Sequence, residues 1–229
     1  MPTRNEIEGL KEIMPRVKKE WIDQIIVIDA NSTDGTIEYA REHNYTLVLE
    51  KRPGGVRYAL PEVMDRIKGD VVITFSPDGN CIPELIPDLI KKMEEGYDMV
   101  IVSRYAAGAK SYDDSIITAF GNWLFTTSIN ILHGGRYTDT MGIFRAYKAN
   151  LFRDLELDKD GGYSMAEKIF RINVGWEPLL SVRAAKRELK IAEIPGDEPA
   201  RSGGKSKLRI FRHGAAHLFQ VFWEVFFWR

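Results

Sequence analysis

The residues best suited to chemistry stand directly after short apolar runs. Asp78 and Asn80 follow the run 71–75, and carboxylate and amide oxygens are ligands that Mg²⁺ or Mn²⁺ accepts together with phosphate oxygens and water. This spacing predicts a divalent-metal site at Asp78, with Asn80 as a second ligand. The alternative is a plain Pro-Asp-Gly turn at 77–79, because these residue types favour turns.

A second segment, residues 28–36, carries the carboxylate of Asp29 at the end of a predicted strand and leads through a turn into a predicted helix. Ser32 or Thr33 can cap that helix, with Asp34 in its first turn. A capped turn between a strand and a helix is the simplest interpretation. It leaves Asp29 unexplained, because a carboxylate at the end of a strand is well placed to accept hydrogen bonds from a ribose or a base.

The elements that must position these residues alternate along the first half of the chain. Continuous β-branched runs at 25–28, 71–75 and 99–102 are separated by helical segments, which is typical of a parallel sheet covered by helices on both faces. Ligands of such sheets lie beyond the carboxyl ends of the strands. The pattern therefore predicts a doubly wound, Rossmann-like α/β domain with its site at those ends.

The composition is that of a folded domain with no overall attraction to nucleic acid. The chain has 229 residues, 44% of them hydrophobic and 28% charged, and a formal net charge of −1. Its single cysteine, Cys81, excludes a disulfide framework and fits a reducing compartment. Residues 1–20 are polar, and no apolar run reaches the roughly 18–20 residues of a spanning helix. A cytoplasmic location is therefore expected.

Several short motifs occur in the order found in a known family. The segment from Pro2 to Glu6, the segment 27–36, the pair Gly69-Asp70 and Asp78 resemble processive-type and lipid-phosphate GT-A glycosyltransferases. Later motifs resemble, more narrowly, dolichyl-phosphate mannosyltransferases and their polyprenyl-phosphate relatives; they are Ser103-Arg104-Tyr105, Thr138 to Tyr147 and Arg201 to Leu208. The resemblance extends over nearly the whole chain, and the ordered set is more specific than any one motif.

The resemblance implies a GT-A fold that binds a nucleotide sugar near its N-terminal motifs. It implies six donor-binding residues: Pro2, Asn5, Glu6, Asp29, Asn31 and Asp34. It implies three catalytic residues: Asp78, Arg104 and Arg201. The candidates for the acceptor phosphate are Arg104, Arg145, Arg201 and Lys207.

Arginine suits that acceptor role because its planar fork matches phosphate oxygens, although a surface ion pair is the alternative for Arg145. A phosphomonoester is largely ionised near neutral pH and needs no strong general base. No catalytic histidine is evident in the sequence, which agrees with that chemistry.

Some residues differ from the family pattern. Met1 stands directly at the first motif, where the family has an apolar strand, so we expect that this strand is absent or that the chain starts upstream. Ala30 replaces a frequent second Asp, and Ser76 replaces the first carboxylate of an Asp-x-Asp metal motif. Either Glu167 or Glu177 matches a glutamate of the acceptor region. These differences bear on metal dependence and on the donor more than on the fold.

The chain is expected to divide into a GT-A domain, residues 1–207, and an amphipathic helix, residues 208–229. The helix carries a narrow polar stripe formed by His213, His217, Gln220 and Glu224. Basic residues precede or begin it, namely Arg201, Lys205, Lys207, Arg209 and Arg212. Its other positions are mainly aromatic or aliphatic, which predicts a helix lying in a membrane interface. A core-docking or dimerising helix is the alternative, and 114–132 is either a second membrane-facing element or part of the core.

The sequence thus predicts an inverting, metal-assisted glycosyltransferase at the cytoplasmic face of a membrane. The expected reaction transfers mannose from GDP-mannose to a polyprenyl or dolichyl phosphate. One alternative is a UDP-glucose-dependent polyprenyl-phosphate glucosyltransferase. Others are a soluble transferase for a sugar or glycerate acceptor and a catalytically impaired protein that binds nucleotide sugars.

Overall fold

In the computed structural model, which describes residues 1–51, 56–201 and 210–228, strands and helices alternate through the first half of the chain. The strands of the described residues are β1 (Pro2–Thr3), β2 (Ile26–Asp29), β3 (Thr46–Leu49), β4 (Val71–Thr74), β5 (Met99–Ser103), β6 (Arg145–Lys148) and β7 (Ile191–Pro195). The helices are α1 (Ile7–Ile13), α2 (Thr36–Glu42), α3 (Leu60–Met64), α4 (Ile86–Glu94), α5 (Ile116–His133), α6 (Leu151–Asp154), α7 (Ser164–Phe170), α8 (Glu177–Lys186) and α9 (Ile210–Phe227).

The strands form two sheets. The first is parallel, in the order β1-β2-β3. The second has the order β4-β6-β5-β7, and β5 and β7 are parallel. The predicted α/β architecture is therefore present, but its strands are divided between two sheets in the described residues.

Strand β6 is antiparallel to both of its neighbours, β4 and β5. Its preceding loop, residues 139–142, therefore lies at the same edge as the carboxyl ends of β4 and β5. Strand β6 begins only at Arg145. In the loop before it, the carbonyls of Thr140 and Gly142 accept hydrogen bonds from the buried Arg145 side chain.

The sheets are covered by helices whose apolar faces pack inward. In α4, Ile86, Leu89 and Met93 recur at helical spacing and are buried, while Lys91 is exposed. All five residues of β5 are buried, as expected for a strand covered on both faces.

Helix α9 packs against α5, α7 and α8. The predicted polar stripe is present, but His217, Gln220 and Glu224 are buried against the protein. Glu224 accepts hydrogen bonds from the buried Arg183 of α8 at 2.9 and 3.0 Å, and Gln220 donates to the Gly162 carbonyl at 2.9 Å. The helix thus uses its polar side to dock on the domain, and the predicted boundary between residues 207 and 208, which lies outside the described residues, stays a prediction.

The outward sides of α5 and α9 are rich in large apolar residues. On α5 these are Ile116, Ile117, Phe120, Trp123 and Ile131, and on α9 they are Phe211, Phe222, Phe226 and Phe227. Within the described ranges, none of the helices combines the length and the apolarity that crossing a membrane requires.

Candidate active site

The loops that follow β1 and β2 are interlocked by hydrogen bonds. Asn5 Oδ1 accepts from the Thr33 N–H at 2.9 Å, and the Asn5 N–H donates to Ser32 Oγ at 2.8 Å. Asp34 accepts from the Ile7 N–H at 3.1 Å and from the Thr36 hydroxyl at 2.6 Å. The two segments singled out in the sequence therefore form one unit at the carboxyl edge of the first sheet.

Asp29 is the buried centre of this unit. Its side chain is 0% exposed and accepts from Thr3 Oγ1 at 2.7 Å, from the Ser32 N–H at 2.7 Å and from Ser32 Oγ at 2.6 Å. These bonds tie β1, β2 and the following turn together. A direct contact of Asp29 with a nucleoside stays a prediction, whereas its positioning of the turn is visible.

The remaining donor-binding candidates surround Asp29. Pro2 lies in β1 opposite Ile28 of β2. The Glu6 N–H donates to Thr36 Oγ1 at 3.0 Å, and the exposed Asn31 donates from its side chain to the Glu50 carbonyl at 3.1 Å. The six predicted donor residues are thus gathered in one region, and their binding of a nucleotide stays a prediction.

Asp78 lies in a tight loop after β4. Gly79 has a φ of 94°, a left-handed conformation that favours glycine. A Cβ atom at Gly9 of α1 would stand 1.9 Å from the Pro77 carbonyl oxygen, so only glycine lets this helix approach the loop so closely. Asp78 is held next to the β1 loop region as a result, and it is buried.

Arg201 connects the Asp78 loop to the segment before α5. Its guanidinium lies 3.5 Å from Asp78 Oδ2 and donates to Asp113 Oδ2 at 2.9 Å. Burial lowers the pKa of Arg201, but the hydrogen bond to Asp113 and the surrounding carboxylates outweigh that effect and raise it. The side chain remains 33% exposed, so it is both charged and accessible.

Arg104, at the end of β5, forms a more enclosed ion-pair network. It donates to both carboxylate oxygens of Asp139, at 2.6 and 3.0 Å, and its third nitrogen lies 3.2 Å from Glu198. Ser111 donates a short hydrogen bond to Glu198. The predicted catalytic residues Asp78, Arg104 and Arg201 therefore occupy one connected cluster, but the Arg104 fork is already filled by carboxylates.

The pKa values of this cluster follow from its burial and its charges. Burial raises the pKa of Asp139, but the Arg104 charge and the hydrogen bonds to the carboxylate outweigh it, so the net pKa is lowered. Burial also raises the pKa of Glu198, and Arg104 and Ser111 offset only part of that increase. Arg104 itself stays protonated because Asp139 and Glu198 outweigh the cost of its burial.

The predicted acceptor role of Arg145 is wrong in this structure. Its side chain is 0% exposed, and it donates to the Gly142 carbonyl at 2.8 Å, to Ser181 Oγ at 3.1 Å and to the Thr140 carbonyl at 3.2 Å. Burial lowers its pKa. Arg145 therefore shapes the 139–142 loop from behind and presents no nitrogen to an acceptor.

Two other predictions have different outcomes. Lys207 lies outside the described residues, so its acceptor role stays a prediction. Glu167 pairs with the buried Arg57, with nitrogen–oxygen distances of 2.5 and 2.9 Å, and Arg57 also pairs with Asp160 at 2.8 Å. Glu167 is thus committed to a structural ion-pair network between α7 and the residues before α3.

The donor atoms near Asp78 match a partial metal shell. Across the described ranges, no three His, Cys, Asp or Glu side chains form a group that could hold a metal ion by themselves. Among the residues that the structure describes, Asp78 nevertheless has only distant partners, Arg201 at 3.5 Å and the Asn80 N–H at 3.4 Å. Mg²⁺ is commonly bound by one or two carboxylates with substrate phosphates and water. One carboxylate with the Asn80 amide fits that arrangement.

Sequence reasoning missed Asp113, Asp139 and Glu198 as members of the site. Asp139 lay inside a recognised motif, and Glu198 stood in the loop leading to Arg201. The informative signal was their position next to predicted strand or helix ends. Their partners come from segments 35 to 94 positions away, which the local pattern does not reveal.

Comparison with known proteins agrees with this architecture. A family model described as glycosyl transferase family 2 matches residues 1–156. A dolichyl-phosphate hexose transferase of Haloferax volcanii is 28% identical over 218 residues, which cover 94% of this chain and 88% of that protein. A dolichol-phosphate mannosyltransferase of Pyrococcus furiosus is 26% identical over 98% of this chain, which spans 63% of that protein's length.

A solved structure of glucosyl-3-phosphoglycerate synthase from Mycobacterium tuberculosis, in complex with Mn²⁺, UDP and phosphoglyceric acid, has a similar fold. Its TM-score is 0.68 at 18% identity, and the match covers 98% of this chain and 76% of that one. This similarity confirms the predicted GT-A fold. Since the family model also matches more than half of the sequence, the chain belongs to glycosyl transferase family 2, and the protein is a glycosyltransferase.

Proposed function

We propose that this glycosyltransferase moves a sugar from a nucleoside diphosphate donor to a polyprenyl or dolichyl phosphate, acting peripherally at the cytoplasmic face of a membrane. The observation that carries the proposal is the contact between the accessible Arg201 and Asp113, which stands just before the exposed apolar face of α5. A cation that can bind phosphate thus adjoins a surface that can accompany a lipid chain.

The start of α5 is fixed by its sequence. Ser115 accepts from the Thr118 N–H at 3.2 Å, and Thr118 Oγ1 accepts from the Ser115 N–H at 2.8 Å, forming a capping box. The helix therefore begins at Ile116, three residues after Asp113. Its first outward residue, Ile116, is 90% exposed, and Phe120 and Trp123 continue the same apolar surface.

Helix α9 supports the same interpretation. Its N-terminal half lies beside the middle of α5, where the ring centroids of Phe125 and His217 are 6.4 Å apart, and further along His133 contacts the Val221 carbonyl at 3.0 Å. The two helices therefore run in the same direction. Phe211, in the first turn of α9, is exposed, and so is Ile116 in the first turn of α5. Aromatic residues outside and polar residues inside suit a helix that contacts lipid.

The reaction we propose requires no protein base. An ionised oxygen of the acceptor phosphate attacks the anomeric carbon of the sugar as the bond from that carbon to the donor diphosphate breaks. The bonding electrons leave with the nucleoside diphosphate, and attack from the opposite face inverts the configuration. Arg201 holds the acceptor phosphate, and Lys207 is proposed as a second cation for it.

A divalent ion, Mg²⁺ or Mn²⁺, is proposed to bind at Asp78 and Asn80 together with the donor diphosphate. When bound, it would stabilise the charge that develops on the leaving group. The described residues support this requirement, because the carboxylates of Asp78, Asp113 and Glu198 lie against Arg201 and Arg104. A diphosphate that approaches these carboxylates would be repelled by them, and a divalent ion would reduce that repulsion.

When the donor binds, we expect Arg201 to leave Asp78 and to contact the acceptor phosphate instead. The Arg201–Asp78 pair is long, at 3.5 Å, which is beyond the usual N–H···O hydrogen-bond range. Arg201 therefore makes its closer contact with Asp113 and can turn from Asp78 toward the acceptor. Asp29 and the loops around it would support the nucleoside from the first sheet.

The donor we propose is GDP-mannose, with UDP-glucose as the alternative. The names of curated relatives, one a dolichol-phosphate mannosyltransferase and another an undecaprenyl-phosphate mannosyltransferase of Micrococcus luteus, support mannose and a lipid phosphate. The solved structure of the synthase contains UDP and Mn²⁺, which supports a UDP-linked sugar as the alternative donor.

The test is a transfer assay in which GDP- and UDP-linked sugars are each incubated with polyprenyl phosphate and Mg²⁺ or Mn²⁺. We expect radiolabel from one donor to enter the organic phase as a lipid-linked sugar. Arg201→Ala should reduce transfer, whereas Arg41→Ala, on exposed α2, should not. Absence of lipid-linked product from every donor, with the protein folded, would reject the lipid phosphate acceptor.

A further inference from the structure

A pocket of about 210 Å³ lies between helix α5 and the loops that follow β5 and α5. On the helix side, Asn122, Thr126 and Asn130 recur at helical spacing and form one stripe of the lining. Tyr105 and Thr138 line the pocket from the two loops. Sites for drug-sized molecules span roughly 300–1,000 Å³, so this smaller pocket has room for a single small ring.

Several polar side chains of the lining are already bound to the protein. Asn130 accepts from the Tyr137 N–H and donates to the Tyr137 carbonyl, both at 2.9 Å. Thr138 Oγ1 donates to Glu193 at 2.7 Å. These hydrogen bonds fix the wall of the pocket on the side of the 137–138 loop.

Asn122 is the exception in this lining. The residue is only 6% exposed, and its buried Oδ1 atom accepts no hydrogen bond from any residue that the structure describes. A buried amide oxygen left without a donor costs free energy, which a ligand that donates to it would recover. Thr127, also in the lining, adds a hydroxyl group. The pocket therefore contains a buried polar group in need of a partner.

The chemistry of the lining selects an uncharged ligand. None of the described residues that line the pocket has a charged side chain, so an ionised ligand would lose its water without gaining a counter-charge. Hydroxyl groups both donate and accept, as the Asn122 amide does. The face of an aromatic ring such as Trp123 can pack against C–H groups. A neutral sugar ring combines hydroxyl and C–H groups in one molecule of suitable size.

The pocket borders the outward apolar face of α5. Trp123 belongs to both surfaces, because it lines the pocket and is exposed, and its ring centroid lies 5.6 Å from that of Phe120. Ile116 precedes Phe120 by one turn and is exposed as well. A ring held in the pocket can therefore be attached to a lipid whose chains run along Phe120 and Ile116.

We propose that this pocket binds one uncharged sugar ring that forms the headgroup of a membrane lipid. Asn122 and Thr127 bind the ring hydroxyls, and the lipid chains follow the apolar face of α5. The lining contains none of the three predicted catalytic residues, so the ring does not occupy the proposed transfer site. The proposal rests on the lipid contact of α5 proposed above, and it gives the enzyme a preference for membranes that contain a neutral glycolipid.

The experiment measures sedimentation of the 229-residue chain with four kinds of vesicle. One is made of phosphatidylcholine alone, and the others add diacylglycerol, phosphatidylglycerol, or a mixture of monoglucosyl and monogalactosyl diacylglycerol. Diacylglycerol controls for the chains, and phosphatidylglycerol presents hydroxyls beside a charged phosphate. The variants Asn122→Leu and Thr127→Val remove a polar group and keep its approximate size. Ser128→Ala, on α5 but outside the lining, is the matched control.

We expect the affinity for glycolipid vesicles to exceed that for the other three by at least about fivefold, the scale of one or two hydrogen bonds. Asn122→Leu and Thr127→Val should lose this preference and bind phosphatidylcholine as before, and Ser128→Ala should keep it. The Tm of Asn122→Leu should not fall, because an apolar group of similar size replaces an amide without a partner.

Equal affinity for all four kinds of vesicle would overturn the proposal, as would a preference that both variants keep. Equally tight binding of phosphatidylglycerol vesicles would overturn it too, because the surface would then select charge. If free methyl glucoside competes as strongly as the glycolipid, the ligand is a soluble sugar and the lipid source is wrong. Failure to sediment with any vesicle would instead reject the lipid contact of α5 itself, and this proposal with it.

Discussion

At the residue scale, the carboxylates of the site differ in whether their oxygens already accept close hydrogen bonds from the protein. Asp29 and Asp139 are 0% exposed and have close hydrogen-bond donors on both oxygens. Asp78 has only contacts of 3.4 Å and longer among the described residues. The first two therefore hold the architecture, and Asp78 is the carboxylate that can accept a new partner.

Asp78→Asn should reduce sugar transfer at least about a hundredfold, the scale observed when a group that stabilises the leaving charge is removed. Asn keeps the size of the side chain, so Tm should change little. Initial rates are measured over a range of Mn²⁺ and Mg²⁺ concentrations. Asp158→Asn, at an exposed position, is the matched control. Full turnover with an unchanged metal response would remove Asp78 from the proposed metal site.

Asp139→Asn should destabilise the fold by about 3–5 kcal/mol at pH 7, because it leaves Arg104, whose side chain is only 16% exposed, without its closest counter-charge. The folded pKa of Asp139 is lowered, so its contribution is present above the unfolded value of about 4 and is lost as the pH falls through the folded value. The free energy of unfolding, measured with urea for the original chain and for Asp139→Asn, should therefore differ more at pH 7 than at pH 3.

The control for that experiment is Asp65→Asn, which breaks an exposed pair with Arg153. Such surface pairs contribute about 1 kcal/mol or less. If Asp65→Asn and Asp139→Asn cost the same, the Arg104–Asp139 pair does not have the structural importance inferred from its burial.

At the element scale, α9 is an amphipathic helix whose polar side faces the protein and whose apolar side faces outward. Its polar residues face inward, where Arg183 and Glu224 form a buried ion pair with a nitrogen–oxygen distance of 2.9 Å. Its outward positions include Phe211, Phe222 and Phe226. The helix is thus docked on the domain by specific polar contacts, while its apolar side faces outward and can contact lipid.

His217, on the inward side of α9, should make this docking sensitive to acid. Burial lowers the pKa of His217 to about 4, below the unfolded value of about 6.5. Its stabilising contribution is therefore complete above pH 6.5 and falls as the pH drops toward 4. At pH 5 the loss is about 2 kcal/mol.

His217→Gln should consequently be less sensitive to a change from pH 7 to pH 5 than the original chain. The expected difference in the Tm decrease is about 4–8 °C, measured by circular dichroism at both values. His133 also has a lowered pKa and acts equally in both proteins. An identical pH dependence would mean that His217 is not held neutral by burial.

The exposed face of α5 should control binding to lipid. The double substitution of Phe120→Ser and Trp123→Ser should lower the affinity for phospholipid vesicles by about tenfold or more, since each large apolar side chain contributes about 1.5–3 kcal/mol when fully buried. The affinity is measured by sedimentation with the vesicles. Phe120→Tyr with Trp123→Tyr, which keeps interfacial aromatic rings, is the control. If serine leaves vesicle binding intact but disrupts a dimer seen by sedimentation velocity, this face binds a second copy instead.

At the scale of the whole molecule, the sequence predicted the features that depend on local pattern. Apolar runs identified most strands, and the polar residues after them indicated the edge where Asp78, Arg104 and Arg201 come together. The orientation of β6, the burial of Arg145 and the inward polar side of α9 were not predicted. Each depends on partners distant in the chain, such as Ser181 for Arg145 and Arg183 for Glu224, which periodicity does not specify.

The most direct test of the account compares two acceptors with the same donor and metal. Values of kcat/KM are measured for long-chain polyprenyl phosphate in vesicles and for 3-phosphoglycerate in solution. The account predicts transfer to the lipid phosphate at least about a hundredfold more efficient, because Arg201 adjoins the apolar face of α5. Efficient transfer to 3-phosphoglycerate, with little or none to the lipid phosphate, would contradict it.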